Sequence, residues 1–337
     1  MKKPITIKDI ARQLGISPST VSRALKDNPE ISVETRKKVS DLAKELNYEP
    51  NILALNLRQS KTNTIGVILP ELVHFFFSTV VSGIEDVAYS KGYNVIICQS
   101  NESAEREKSD TKALYNHRVD GILACISKES NDLSHFIAVQ DKGIPVVFFD
   151  RKVDIDASSV LVDDFKGSYD ATMHLISSGR KNIVHLAGPE NLHLTNNRID
   201  GFKKAHEDSG LSLNTSNIIT CGTGTAEEAT ALVTELLKSE SEIDGIFAVN
   251  DLAAFGAMKA VKDANKSVPE DLAIVGFSNW QFSSFTNPPL TTVDQPGYEM
   301  GKKAAEMLLS EIEMKENEFI EPHKVILNTH LIKRESA

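Results

Sequence analysis

Apolar residues in the first fifty positions recur at helical spacing. Ile7, Ile10, Ala11 and Leu14 fall at i, i+3, i+4 and i+7, the pattern of a helix with one buried face. Val21, Ala24 and Leu25 begin it again, and Val39, Leu42, Ala43 and Leu46 repeat it a third time. The punctuation agrees. Thr6 can cap the first helix, with Asp9 three residues on, near the positive end of the dipole. Gly15 ends that helix by admitting a left-handed backbone. Ser17 caps the second helix, and Pro18 takes its first position, where no N–H is needed. Ser32 caps the third, with Glu34 in its first turn. A break of three or four residues between the first two helices predicts a helix-turn-helix.

After Pro50, residues 52–57 form a helix-capable hexamer followed by a polar linker. Such a helix is marginal alone, since isolated helices need roughly 12–15 residues to be stable. From Thr64 the pattern changes. The runs TIGVILP, YNVIIC, GILACI, PVVFFD, NIVHLAG, IITC, GIFAVN and AIVGFS alternate with amphipathic stretches. Near-continuous apolar runs predict strands covered on both faces, hence mostly parallel sheets flanked by helices. Eight or more such units exceed one compact half, so two α/β lobes are expected. Ligands of such sheets bind beyond the carboxyl ends of the strands, here also between the lobes.

Composition narrows the class. A chain of 337 residues, 41% hydrophobic, suggests two or three domains with packed cores. No apolar run reaches the roughly 20 residues of a bilayer span. The start, MKKPITIKDIARQLG, regains charge at Lys8 and Asp9 and does not read as a secretory signal. Three cysteines, Cys98, Cys125 and Cys221, lie far apart without a C-x-x-C pair and are expected as buried thiols in a reducing cytoplasm.

Charge is unevenly placed. Residues 1–64 hold 12 Lys+Arg against 7 Asp+Glu, a surplus of +5, while the other 25 and 40 leave the rest at −15. A basic head on an acidic body suggests that the head meets a polyanion. With Val21, Ala24 and Leu25 inward, Pro18, Ser19, Ser22 and Arg23 face the other way near a helix start. A helix fits the DNA major groove with its N-terminal side chains at base edges. Arg23 can donate two hydrogen bonds to a guanine, about 1–3 kcal/mol of discrimination. The plainer alternative is a surface arginine on a helical hairpin.

The stretches TIKDIARQLGISPSTVSRAL and ISVETRKKVSDLAKELNYEPN resemble the headpiece of the lactose-repressor/galactose-repressor (LacI/GalR) family of bacterial regulators. The resemblance implies that residues 52–57 fold on DNA and pair with a dimer mate in the minor groove, with Leu57 as an apolar wedge. Leu55 stands where the family often has arginine. The candidate DNA-contacting set is Thr6, Ser17, Pro18, Ser19, Thr20, Ser22, Arg23, Asn28, Tyr48, Asn51, Leu57 and Arg58. The body resembles the two-lobed periplasmic sugar-binding-protein fold that the family carries. Expected domains are a headpiece at 1–50, a hinge at 51–62 and a body at 63–337. Lobe 1 is expected at about 63–162 and 291–322, lobe 2 at about 163–290 and 323–332.

Candidate effector residues sit at strand ends: Asp150 closes PVVFFD and Asn250 closes GIFAVN, with Arg198 at a helix start in NNRIDGF. Phe76 and Phe77 offer flat rings after the first strand, and Gln295 lies in the crossover. A carboxylate, an amide and a guanidinium suit vicinal hydroxyls, and an aromatic face suits a sugar ring. The resemblance puts Asp150, Arg198 and Asn250 at effector-contact positions, and Phe76 and Phe77 at ring-contact positions. The family often has aspartate after G-[FY]; GFSNWQF has Ser278 there and Trp280 two residues on. The bland readings are a helix cap, which suits Asp251 best, and a lobe salt bridge for Arg198.

Enzyme motifs are lacking. CGTGTAEE has glycines before a helix without G-x-x-x-x-G-K-[ST], no G-x-S-x-G or H-E-x-x-H occurs, and the nine histidines show no metal spacing. GPENLHL reads as a loop. The sequence therefore points to a cytoplasmic, dimeric, DNA-binding repressor with a near-palindromic operator and a sugar-like effector, and to no cofactor, metal, membrane or catalysis. With no leucine-heptad tail after LIKRESA, dimers are expected in place of tetramers. The alternative is a sugar-binding module without DNA function.

Overall fold

A computed structural model describes residues 5–48, 61–73, 75–239, 242–314 and 321–337. The chain separates into two compact units, dividing between Thr62 and Asn63. The expected hinge positions Asn51, Leu55, Leu57 and Arg58 lie outside the described residues.

The first unit holds α1 (Ile7–Leu14), α2 (Pro18–Ala24) and α3 (Val33–Glu45). The Asp9 carboxylate accepts from the Thr6 N–H (3.0 Å) and the Thr6 hydroxyl (2.6 Å). Gly15 closes α1 at φ +62°, a conformation that glycine alone adopts cheaply. Ser17 Oγ accepts from Thr20 N–H at 3.0 Å and Ser32 Oγ from Thr35 N–H at 3.2 Å. One side chain from each helix, Ile10, Val21 and Val39, is fully buried at the centre of the core.

The second unit contains two six-stranded sheets. The first sheet takes β1 (Thr64–Leu69), β2 (Asn94–Gln99), β3 (Gly121–Ala124), β4 (Val146–Phe149), β5 (Ser159–Val162) and β11 (Lys324–Leu327), in the order β11-β5-β4-β3-β1-β2. Every pair in it is parallel. The second takes β6 (Ile183–Ala187), β7 (Ile218–Thr220), β8 (Gly245–Ala248), β9 (Ala273–Phe277), β10 (Thr291–Asp294) and β12 (His330–Ile332), in the order β12-β10-β9-β8-β6-β7. Here only β10 and β12 run antiparallel.

Helices cover both faces of each sheet, which is why the strands read as unbroken apolar runs. The first lobe carries α4 (Phe75–Ser90), α5 (Ala104–Asn116), α6 (Ser134–Gln140) and α11 (Gly297–Glu313). The second carries α7 (Asp164–Ser177), α8 (His193–Ser209), α9 (Ala226–Lys238) and α10 (Asp251–Asp263). Each lobe has one core cluster on each face of its sheet. Among the described residues no helix is long and apolar enough to cross a membrane.

The lobe boundaries differ from those expected at two places. Residues 291–294 form β10, a strand of the second sheet parallel to β9, so the chain enters the first lobe only after it. The Ser336 hydroxyl anchors this strand by accepting from Thr291 N–H at 2.8 Å. Residues 324–327, expected in lobe 2, join β5 of the first sheet, and only β12 returns to the second. KVIL and HLI are separated by two residues, and strands this short carry no period that would assign them to separate sheets. β5 likewise lies outside the apolar runs read from the sequence.

α4 and α11 cross at glycines. A Cβ on Gly301 would overlap the Val80 carbonyl, and one on Gly83 the Tyr298 carbonyl. Neither obstacle is a side-chain tip that could swing aside. Gly301→Ala is expected to destabilise the body by about 1–3 kcal/mol, the usual cost of overpacking, read as a lower denaturation midpoint. An unchanged midpoint would show that the two helices can separate freely.

Candidate functional site

In the helical unit, burial of Val21 and Ala24 turns the opposite face of α2 outward. Thr6, Ser17, Pro18, Ser19 and Arg23 are exposed, and Thr20, Ser22, Asn28 and Tyr48 are half-buried. The hydroxyls at the start of α2 bond one another, Ser17 to Ser19 at 2.7 Å and Ser17 to Thr20 at 2.8 Å. Arg23 Nη1 reaches Glu30 Oε2 at 3.1 Å, and the Asn28 side chain fixes that turn by accepting from Glu30 N–H at 2.9 Å. An exposed ion pair of this kind is worth about 0–1 kcal/mol, so Arg23 can exchange Glu30 for another partner. Tyr48 packs on the three-helix core.

The body carries a cleft, partly open to solvent, lined from both lobes. Seven expected residues line it: Phe76, Phe77, Asp150, Arg198, Asn250, Ser278 and Gln295. Trp280 does not. It lines a smaller side pocket that shares Phe76, Asn250 and Ser278, and its indole stacks on Phe255 at 5.8 Å. Its place is fixed by its own backbone N–H, which donates to the buried Asp251 at 2.6 Å.

Asp251 also accepts from Ser283 Oγ at 2.6 Å and Thr292 Oγ1 at 2.5 Å. It is therefore a scaffold for the loop after β9, and the helix cap expected of it belongs to Asn250. The Asn250 side chain accepts from Ala253 N–H at 2.8 Å while its amide donates to Gly224 O at 3.0 Å. Ser278, at φ +113°, donates to Gln295 Oε1 at 2.8 Å, so these two expected residues are bonded to each other.

On the first-lobe wall, Phe76 and Phe77 meet edge to face with centroids 5.3 Å apart. Asp150 follows β4 with φ +65° and is buried. Burial pushes its carboxyl upward, and the Arg151 and Arg198 charges pull it partly back. Arg151, unmarked by any motif, lies beside it. Its Nη1 and Nη2 each reach a different Glu102 oxygen at 2.8 Å, and Nη1 also donates to Ile126 O at 2.6 Å. Glu102 further accepts the Lys128 N–H at 2.7 Å. Burial alone would raise the Glu102 carboxyl, but Arg151 and Lys128 together hold it below its ordinary value.

On the second-lobe wall, Arg198 Nε and Nη2 both lie 2.8 Å from Asp164 Oδ1, and Nη1 donates to Val249 O at 2.8 Å. Its guanidinium carbon sits 3.6 Å from the Phe277 ring centroid, a cation–π contact. Arg198 therefore lines the cleft while ion-paired within its own lobe. Burial raises the Asp164 carboxyl to about 6 despite Arg198. The GPENLHL loop is more than a connector, since Gly188, Pro189 and Leu192 line the cleft. Its Asn191 crosses to the other lobe, donating to Lys128 O at 2.5 Å.

The comparisons with known proteins agree with this geometry. Residues 6–51 match the family of bacterial regulatory proteins, lacI family, and residues 62–335 match periplasmic binding proteins and sugar binding domain of LacI family. The chain belongs to the LacI family of regulators. It is 35% identical over 333 residues to the HTH-type transcriptional regulator RegA of Clostridium saccharobutylicum, covering 98% of this chain and 99% of that one. It is 33% identical to the ribose operon repressor of Halalkalibacterium halodurans, covering 98% and 97%. The lac repressor dimer bound to operator and an anti-inducer superposes with a TM-score of 0.86 at 26% identity, covering 99% of each chain.

The raised Asp164 carboxyl has a stability consequence. A folded-state value near 6 against the ordinary 3.8 means that this group favours folding most below pH 4, and that its contribution is lost as pH rises through 6. Asp164→Asn removes that dependence. The melting temperature of the variant minus that of the wild type is expected to climb between pH 4 and 6. A flat difference in thermal melts across that window would contradict the assignment.

Proposed function

We propose that this protein is a sequence-specific transcriptional repressor whose hold on its operator is set by a small molecule in the interlobe cleft. The observation that carries the reading is the outward face of α2. A capped helix start presents Pro18, Ser19 and Arg23 to solvent, and the same chain continues into a two-lobed body with a polar, ring-lined cleft.

Helix N-termini of this kind place side chains at base edges in the major groove. Ser22 and Arg23 read bases; Thr6, Ser17, Thr20, Asn28, Tyr48 and Asn51 position the unit on the backbone; Leu57 and Arg58 act in the minor groove. Two copies of the chain bind a near-palindromic operator, its half-site spacing set by their two-fold axis. The effector is a sugar or sugar derivative held by Asp150, Arg198, Asn250 and Gln295 against Phe76 and Phe77. Support for that class comes from the sugar-binding family that residues 62–335 match. The protein acts in the cytoplasm as a regulator without catalytic chemistry.

Arg23→Ala is expected to weaken binding to the specific operator by about 1–3 kcal/mol, while salt-sensitive binding to unrelated duplex persists. Fluorescence anisotropy with both duplexes measures this. Unchanged operator preference in the variant would remove α2 from the reading head.

A further inference from the structure

The ion pairs of the helical head are of two kinds. Arg12 with Asp9 and Lys38 with Glu34 join residues three and four apart on one helix, which helical spacing alone provides. Arg23 and Glu30 are seven residues apart and meet only because of the turn between them. That turn is closely held. Asp27 takes a left-handed backbone at φ +50°, and the Asn28 N–H donates back to Arg23 O at 3.1 Å. Arg36, from α3, donates to Asp27 O at 3.3 Å. Asn28 Oδ1 accepts from Glu30 N–H at 2.9 Å, Pro29 restricts the backbone between them, and Ile31 packs on the three-helix core. The backbone of Glu30 is thus fixed beside Arg23 while both side chains stay exposed, at 69% and 57%.

The contact uses one nitrogen. Glu30 Oε2 accepts from Arg23 Nη1 at 3.1 Å, and among the described residues Nε and Nη2 of that guanidinium have no partner. These two N–H groups form one edge of the guanidinium fork. Two parallel donors are what the O6 and N7 acceptors of a guanine require. Arg23 can therefore read guanine without releasing Glu30.

Other bases differ. Adenine offers an acceptor beside a donor, and neither pyrimidine offers a pair of acceptors. At those bases an unheld arginine would turn to a phosphate, a contact that carries no sequence information. An arginine held by Glu30 gains little there, because the phosphate would approach the Glu30 carboxylate, and like charges repel. An exposed pair adds little to folding stability, so the effect of this one falls on what Arg23 binds.

We propose that Glu30 is a specificity-determining residue of the head: it orients Arg23 toward guanine and suppresses the binding of that arginine to other bases and to phosphate. This rests on the regulator reading and deepens it. Specificity is a difference of affinities, and a repulsive element that penalises the wrong partner raises it as surely as a new contact to the right one.

The test is a base-preference profile of the full-length protein. The wild type selects a duplex from a randomised pool, and each base pair of that duplex is then replaced in turn. The position at which Arg23→Ala abolishes the preference is the one Arg23 reads. At that position Glu30→Gln, nearly isosteric, is expected to cut the preference for guanine by about threefold or more, through tighter binding of the altered duplexes. Preferences at the other positions are expected to stay within about twofold, and in the Arg23→Ala background the same substitution is expected to change none, since the two side chains act as one unit. The proposal is overturned if Glu30→Gln tightens the selected and altered duplexes by a common factor, the behaviour of a merely repelling surface charge. It is also overturned if the substitution changes no preference, if its effect survives without Arg23, or if Arg23→Ala flattens no position. A wild type that enriches no sequence would count against the regulator reading itself, and this proposal would fall with it.

Discussion

The carboxylate of Glu102 holds the first-lobe wall together. It accepts from both terminal nitrogens of Arg151 and from the backbone of Lys128, and it lies beside the Lys128 ammonium. It can do so because Asn101 and Glu102 both adopt left-handed backbone, at φ +51° and +60°, turning the chain sharply after β2. Two successive non-glycine residues in that region are strained. The strain is offset by charge-assisted, bidentate hydrogen bonds, among the strongest a side chain makes. Without Glu102, Arg151 would be a buried cation stripped of its bidentate partner, a loss of about 3–5 kcal/mol in comparable cases.

A second buried carboxylate supports the wall from behind. Glu107 is fully buried and accepts from Ser127 N–H, Ser130 Oγ and His135 Nε2 at 2.5, 2.6 and 3.1 Å. Burial would raise its carboxyl, but these donors outweigh that and hold it ionised below its ordinary range. The loop bearing Lys128 is thereby fixed before anything reaches the cleft, which lowers the ordering cost of binding. Each lobe neutralises its own arginine, and among the described residues the links across the cleft include Lys128 to Gly222 and Thr223, Asn191 to Lys128, and His193 to Asp154 at 3.3 Å. The lobes can therefore part without stranding a buried arginine. A ligand that touches both walls needs to favour one arrangement by only about 1–3 kcal/mol to act as a switch.

Much of this was legible in the residues. Caps at Thr6, Ser17 and Ser32 and the left-handed Gly15 define the helical head, because the partners of those caps all lie within three residues along the chain. The strand-end rule picked out Asp150 and Asn250, since apolar runs announce their own carboxyl ends, while Ser278 came from the family resemblance. Glu102, Arg151, Lys128 and Thr195 escaped it. They sit two to four residues beyond strands or inside a helix, and only the folded sheet order, β4-β3-β1-β2, gathers the ends of those strands along one edge. Trp280 and Asp251 were misplaced for a related reason. The tight turn after β9, with Ser278 and Asn279 both at positive φ, redirects side chains in a way that no period reveals.

The interleaving of the two sheets sets an order of assembly. The first lobe's main core needs Met300, Ala304 and Leu308 of α11, which the ribosome makes only after nearly all of the second lobe. The usual vectorial rule, in which the N-terminal portion matures during synthesis, therefore cannot apply to this body. The earlier lobe must wait, with part of its apolar sheet face uncovered, until the later one has emerged. That interval is when a nascent chain of this design most needs a chaperone.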